Sequence, residues 1–78
     1  MAKIHYIWLD FENARGSVHS TLVYNGEMET MAAADAMHRI SDEQLMELKP
    51  RWMEDVRKIY LCAQNINGEV RYRVTRHL

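Results

Sequence analysis

The last third of the chain constrains its fold most. Residues 58–66, the pair Asn67-Gly68 and residues 69–76 read as two strands joined by a tight turn. Asn-Gly is the preferred pair for a two-residue type I′ loop, because both positions need positive φ. With that loop, Ile66 faces Glu69. The pairs Asn65/Val70, Gln64/Arg71, Ala63/Tyr72, Cys62/Arg73, Leu61/Val74, Tyr60/Thr75 and Ile59/Arg76 then follow. Opposed residues share a face and faces alternate. One face therefore gathers Ile59, Leu61, Ala63, Val70, Tyr72 and Val74. The other gathers Lys58, Tyr60, Cys62, Gln64, Arg71, Arg73, Thr75 and His77. A slip of one residue would send the arginines into the core.

The rest of the chain supplies partners for this hairpin. Residues 3–12 alternate, with Ile7, Leu9 and Phe11 on one side and Tyr6, Trp8, Asp10 and Glu12 on the other. Large apolar groups on both sides predict a central strand. Residues 13–17 form a loop and residues 18–24 a second strand. Asn25-Gly26 repeats the tight-turn signal, and residues 27–30 are either a short third strand or the start of a helix. From Met31 the period changes, with Ala33, Met37 and Ile40 at helical spacing and Asp35 four residues before Arg39. Ser41 and Gln44 fit a capping box. Leu45, Leu48, Trp52, Val56 and Ile59 make one helical stripe, interrupted by Pro50, which kinks the helix or begins a new one. No internal repeat, linker or low-complexity stretch stands out. Segregated strands and helices predict one small α+β domain over residues 1–78. Its mainly antiparallel sheet combines N-terminal strands with the C-terminal hairpin and packs against one or two helices.

Composition narrows the function classes. Seventy-eight residues bury a modest core. The single cysteine, Cys62, excludes an internal disulfide. No apolar run reaches the roughly 20 residues of a spanning helix, and the N-terminal segment lacks a cleavage site, so the expected location is cytoplasmic. Net charge is −1, yet residues 1–56 hold ten acidic and five basic side chains, whereas residues 57–78 hold five basic and one acidic. The expectation is an acidic body with a basic hairpin.

One local motif points to chemistry. Ile7-Trp8-Leu9-Asp10-Phe11-Glu12-Asn13 resembles the first strand of NYN/PIN-type ribonucleases, in which an acidic residue at a strand end helps hold a divalent metal. The resemblance covers about seven residues and implies Asp10 as a metal ligand with Asn13 supporting it. The chain is short for that family's alternating α/β sheet, and the family's further carboxylates have no recognisable counterparts. His5, His19, His38 and His77 are scattered without metal-ligand spacing, and Cys62 reads as a semi-exposed strand residue whose pKa Arg73 could lower. No cofactor is expected.

Two contact surfaces follow from the pattern. Lys58, Tyr60, Arg71, Arg73 and His77 form the basic hairpin face. Met46, Trp52 and Met53 form a second apolar strip on the helix, suited to a partner or a homodimer. With no catalytic constellation, the expected function is a small non-enzymatic protein-binding module. It would inhibit or regulate a larger protein through an acidic surface, in the manner of phage and mobile-element accessory proteins such as anti-CRISPRs. A nucleic-acid-binding module using the basic hairpin is the alternative, because rings and cations together make single-strand platforms. A remnant of the metal-dependent nuclease ranks third.

Overall fold

A computed structural model describes residues 3–78. Six elements follow in order: β1 (Lys3–Asn13), β2 (Val18–Glu29), α1 (Thr30–Arg39), α2 (Asp42–Glu47), β3 (Val56–Gln64) and β4 (Val70–His77). The strands form one antiparallel sheet in the order β2-β1-β3-β4. The protein is thus an α+β fold with a central β1, as the two-sided apolar pattern of that strand predicts. The core lies on one face of the sheet. Ile7, Leu9 and Phe11 from β1 and Val56, Ile59, Leu61 and Ala63 from β3 are buried there with Ala33 and Met37 of α1, Leu45 of α2 and Met53. Tyr72 and Val74 of β4 pack against the same cluster.

The helices start and stop for local reasons. Ser41 caps α2: its Oγ accepts from the Gln44 N–H at 3.1 Å, and Gln44 Oε1 accepts from the Ser41 N–H at 2.9 Å. Asp35 and Arg39 pair across one turn of α1 at 3.1 Å. The last turn of α1 meets Arg76 of β4. That guanidinium donates to the carbonyls of Met37 (3.2 Å), His38 (3.2 Å) and Ile40 (2.8 Å) and to the Asp42 carboxylate (2.9 Å). One side chain therefore satisfies three carbonyls that a helix end leaves unpaired and ties both helices to the sheet.

Three expectations are corrected. Asn25-Gly26 is not a turn. β2 runs through it, because residues 27–29 continue to pair with the start of β1, as in Ile4/Met28 and Lys3/Glu29. The extra residue is absorbed as a bulge between the pairs Ile4/Met28 and Tyr6/Asn25, and the Tyr24 hydroxyl crosses it to donate to the Glu27 carbonyl at 3.3 Å. The long helix through Pro50 does not form either. α2 ends at Glu47, the Met53 N–H donates to the Pro50 carbonyl in a turn, and the Lys49 ammonium covers the carbonyls of Pro50 and Met53. Val56, placed in the helical stripe, and Ile59, placed both in that stripe and in the hairpin strand, are β3 residues paired to β1. The stripe of Leu45, Leu48, Trp52, Val56 and Ile59 is thereby split, leaving Leu45 buried and Trp52 69 % exposed. Trp52→Ala is accordingly expected to cost about 1 kcal/mol or less, as for an exposed side chain. A thermal melt that instead shows loss of folding would place the ring in the core.

The third correction concerns the hairpin loop. The loop of β3 and β4 has three residues, Ile66, Asn67 and Gly68. The Asn65 N–H donates to the Glu69 carbonyl (3.0 Å) and the Gly68 N–H to the Asn65 carbonyl (3.0 Å). Asn65 Oδ1 accepts from the N–H groups of Asn67 (3.0 Å) and Glu69 (2.9 Å). Gly68 has φ +84°, while Asn67 does not enter the positive region, so a type I′ turn is excluded. The longer loop slips the pairing to Gln64/Val70. A bulge before Ala63/Tyr72 then restores the expected register from Ala63/Tyr72 through Ile59/Arg76. The alternation of core and arginine positions explains the restoration, since an uncorrected slip would bury the arginines.

The first hairpin uses the same loop. The Asn13 N–H donates to the Ser17 carbonyl (3.1 Å), the Gly16 N–H to the Asn13 carbonyl (3.0 Å), and Asn13 Oδ1 accepts from the N–H groups of Arg15 and Ser17 (both 3.0 Å). Gly16 has φ +85°. The match extends along the strands at an offset of 52 residues: Ile7, Leu9, Asn13, Gly16 and Val18 recur as Ile59, Leu61, Asn65, Gly68 and Val70. Trp8 recurs as Tyr60 and Glu12 as Gln64. β1 pairs with β3 with Leu9 opposite Leu61, so a pseudo-two-fold axis passes through that pair and relates the two hairpins. The chain therefore contains a repeat, contrary to the sequence expectation. Its signal is the Asn-x-x-Gly spacing, read together with the Ile-aromatic-Leu triplet that precedes it.

Candidate functional site

Both helices and the core occupy one face of the sheet, and the opposite face is uncovered. Alternation places Tyr6, Trp8, Asp10 and Glu12 of β1 on that face. Register sets them beside Asn25, Leu22, Ser20 and Val18 of β2, and beside Gln64, Cys62, Tyr60 and Lys58 of β3. β4 adds Arg73, Thr75 and His77. The sheet thus joins the basic hairpin residues to the aromatic and acidic residues of β1, a union that the hairpin alone does not reveal.

The geometry of this face is specific. The Arg73 guanidinium carbon lies 4.6 Å from the centre of the Tyr60 ring, a cation–π contact. The Tyr60 hydroxyl reaches the Glu12 carboxylate at 3.5 Å. The Ser20 hydroxyl donates to Asp10 at 2.6 Å. A shallow depression of about 350 Å3 is lined by Trp8, Asp10, Ser20 and Gln64. Asp10, Glu12, Lys58, Arg71 and Arg73 make no ion pair among the described residues. The face is therefore half acidic, on β1, and half basic, on β3 and β4. The acidic body and the basic hairpin thus meet on one face, where Glu12 and Asp10 of the central strand lie next to Lys58 and Tyr60.

Of the residues singled out by sequence, Lys58, Tyr60, Arg73 and His77 lie along this surface, Lys58 and Tyr60 half-buried and the other two exposed, while Arg71 is exposed at the bulge between Ala63/Tyr72 and Gln64/Val70. Met46, Trp52 and Met53 do not form a common strip. Met53 is 1 % exposed within the core, Met46 packs against the core, and Trp52 stands apart with its ring edge-on to His19 at 5.1 Å. Trp52 borders a second cleft of about 480 Å3 at the β1–β2 loop, with Arg15, Glu54 and Asp55 among its other walls. That cleft is the larger of the two, and its charges are of both signs. Trp8 and Ser20 are site residues that sequence reading missed, and Asp10, singled out there only as a metal ligand, joins them on this face. The signal was present in the two-sided pattern of β1, but only the pairing order set it beside Tyr60.

Burial and geometry bear on two chemical expectations. Cys62 is buried rather than semi-exposed, at 5 %. Burial pushes its thiol pKa up, against a smaller lowering by Arg73. The thiol is therefore protonated at neutral pH and a poor nucleophile. Alkylation of native protein at pH 7.5 is expected to be at least about tenfold slower than of urea-unfolded protein; equal rates would show an accessible thiolate. The unfolded chain ionises first as pH rises past its ordinary thiol pKa of about 8.5, so this group's contribution to stability is full below that pH and declines above it. For the nuclease resemblance, Asp10 is engaged by Ser20 and Asn13 staples a loop. Among the described residues no three His, Cys, Asp or Glu side chains converge as a metal site. Among these residues, also, no helix is long and apolar enough to cross a membrane. Compared with known proteins, the chain matches no family model, no curated protein and no solved structure.

Proposed function

We propose that this chain is a small protein-binding module, acting without catalysis, whose contact surface is the open face of the sheet. The observation that carries the reading is this face itself: Trp8 and Tyr60 stand half-buried at its centre, ringed by charges that form no ion pair among the described residues. Aromatic anchors inside a polar rim are what protein interfaces use. A domain of this size, with no metal-ligand cluster among the described residues, fits an inhibitor or regulator of a larger cytoplasmic protein, of the accessory type that phages and mobile elements carry. Arg71→Glu combined with Arg73→Glu is expected to leave the melting temperature nearly unchanged, because both side chains are exposed. Capture of an acidic partner from host lysate should weaken, mainly through a slower, salt-dependent on-rate. Unaltered capture by the double variant would remove the basic half from the contact surface.

A second reading is supported by the Arg73–Tyr60 contact on an open four-stranded sheet, since rings stack bases while cations hold phosphates. Asp10 and Glu12 on the same face oppose it by repelling phosphates. A gel shift with random single-stranded oligonucleotides over a salt series separates the two. Tight binding that falls steeply with salt and disappears in the double variant would favour nucleic acid.

A further inference from the structure

We propose that the open sheet face is self-complementary and joins two copies of this chain face to face, about a two-fold axis parallel to the strands. The proposal rests on reading this face as a protein contact and names its occupant as a second copy.

Charge selects the occupant and the axis. β1 carries Glu12 and Asp10, and β3 and β4 carry Lys58, Arg73 and His77, on opposite sides of the line between β1 and β3. Rotation about an axis along that line lays β1 of one copy over β3 of the other, at the same height along the strands. Glu12 of each copy then meets Lys58 of the other, and Asp10 comes over Tyr60, beside Arg73. The operation repeats itself, so one arrangement yields two equivalent Glu12–Lys58 contacts. An axis across the strands would set β1 on β1 and β3 on β3, so that no acidic side chain would meet a basic one. Glu12 and Lys58 are opposed within the chain yet form no ion pair among the described residues, and the Glu12 carboxylate accepts only a long 3.5 Å contact from the Tyr60 hydroxyl.

Shape agrees with charge. Trp8 pairs with the small, buried Cys62, so the rotation brings each Trp8 ring over the low ground at Cys62 of the other copy. Leu22 and Val18 of β2, 40 % and 55 % exposed, come to lie over β4. Four strands about 4.8 Å apart, with about eight residues each at 3.3 Å, give a footprint of roughly 500 Å2. The accessible area of a surface bearing side chains exceeds its footprint and so approaches the about 800 Å2 per partner of a standard interface. Two sheets packed this way are the geometry of a β-sandwich, with faces about 10 Å apart.

Charge reversal tests the arrangement. Sedimentation equilibrium of the full chain, from micromolar to submillimolar concentration, is expected to show a dimer that weakens with salt. Glu12→Lys and Lys58→Glu should each raise the dimer dissociation constant at least about tenfold, with circular dichroism unchanged. Mixing the two variants should restore dimer. The lysine introduced in the first then meets the glutamate introduced in the second, while Lys58 of the first still meets Glu12 of the second. A wild-type protein that stays monomeric throughout overturns the proposal, as does a dimer indifferent to both variants or not restored by mixing. Trp8→Ala in the lysate capture experiment keeps the two readings distinct. A monomeric wild type that loses its host partner on Trp8→Ala sinks the dimer alone; a monomer that captures nothing sinks the binding module as well.

Discussion

Phe11→Ala is expected to abolish folding at physiological temperature. Phe11 is fully buried in β1, opposite Ile59 of β3 and His19 of β2. Truncating a buried phenylalanine costs about 3–5 kcal/mol, from lost burial and from the cavity left behind. A chain of 78 residues has a total stability of only about 4–12 kcal/mol. The loss is therefore a large part of the whole. The position is also unsupported by the repeat, because its counterpart is the small Ala63. The two halves fill the core unequally, and Phe11 supplies the volume that Ala63 does not. Phe11→Leu, which keeps most of that volume, should cost about 1–2 kcal/mol and still fold. Urea titration followed by far-ultraviolet circular dichroism measures both. A Phe11→Ala protein with an unchanged midpoint would mean that this core is not the one holding the sheet.

Arg76→Ala is expected to destabilise the protein by about 2–4 kcal/mol. Arg76 is 22 % exposed and donates to three carbonyls around the end of α1 and to Asp42 at the start of α2. Hydrogen bonds from a charged group contribute more than neutral ones, and their loss leaves partly buried carbonyls without partners. Arg76→Lys keeps the charge but not the planar fork, so it should retain only part of the effect. The readout is hydrogen exchange at α1 together with the urea midpoint. Protection in α1 should fall in Arg76→Ala before the β1–β3 pairs are affected. Unchanged protection there would show that α1 is held by Ala33 and Met37 alone.

How far local pattern reaches is visible at these same residues. Alternation along β1, β3 and β4 dictates which side chains face the core, because a strand with one buried face admits a single register; Val70, expected on the core face, is the exception, set opposite Gln64 and exposed by the longer loop. The capping box at Ser41 and the Asp35–Arg39 pair are complete within four residues and need nothing from the rest of the chain. The basic face of the hairpin follows likewise. Arg76 shows the limit. Its register put it opposite Ile59, on the core side, but the reason an arginine belongs there is the end of a helix 36 residues earlier in the chain, at Ile40.

Tertiary pairing decided the remainder. Asn25-Gly26 has turn chemistry, yet the start of β1 lay free to extend the ladder, and continued hydrogen bonding outweighed the turn preference. Residues 45–59 have a helical period, but Val56 and Ile59 serve β1 better as strand partners than a helix broken at Pro50 could use them. Asn67-Gly68 lost its two-residue turn to Asn65, whose side chain accepts from two backbone N–H groups and fixes a longer loop. The order β2-β1-β3-β4 then set Trp8 and Asp10 beside Tyr60, Lys58 and Arg73, residues separated by about 50 to 65 positions in the chain. Short-range patterns fix which way a side chain points. Its neighbours across the sheet depend on which strands pair, and that is settled by the burial of the whole core at once.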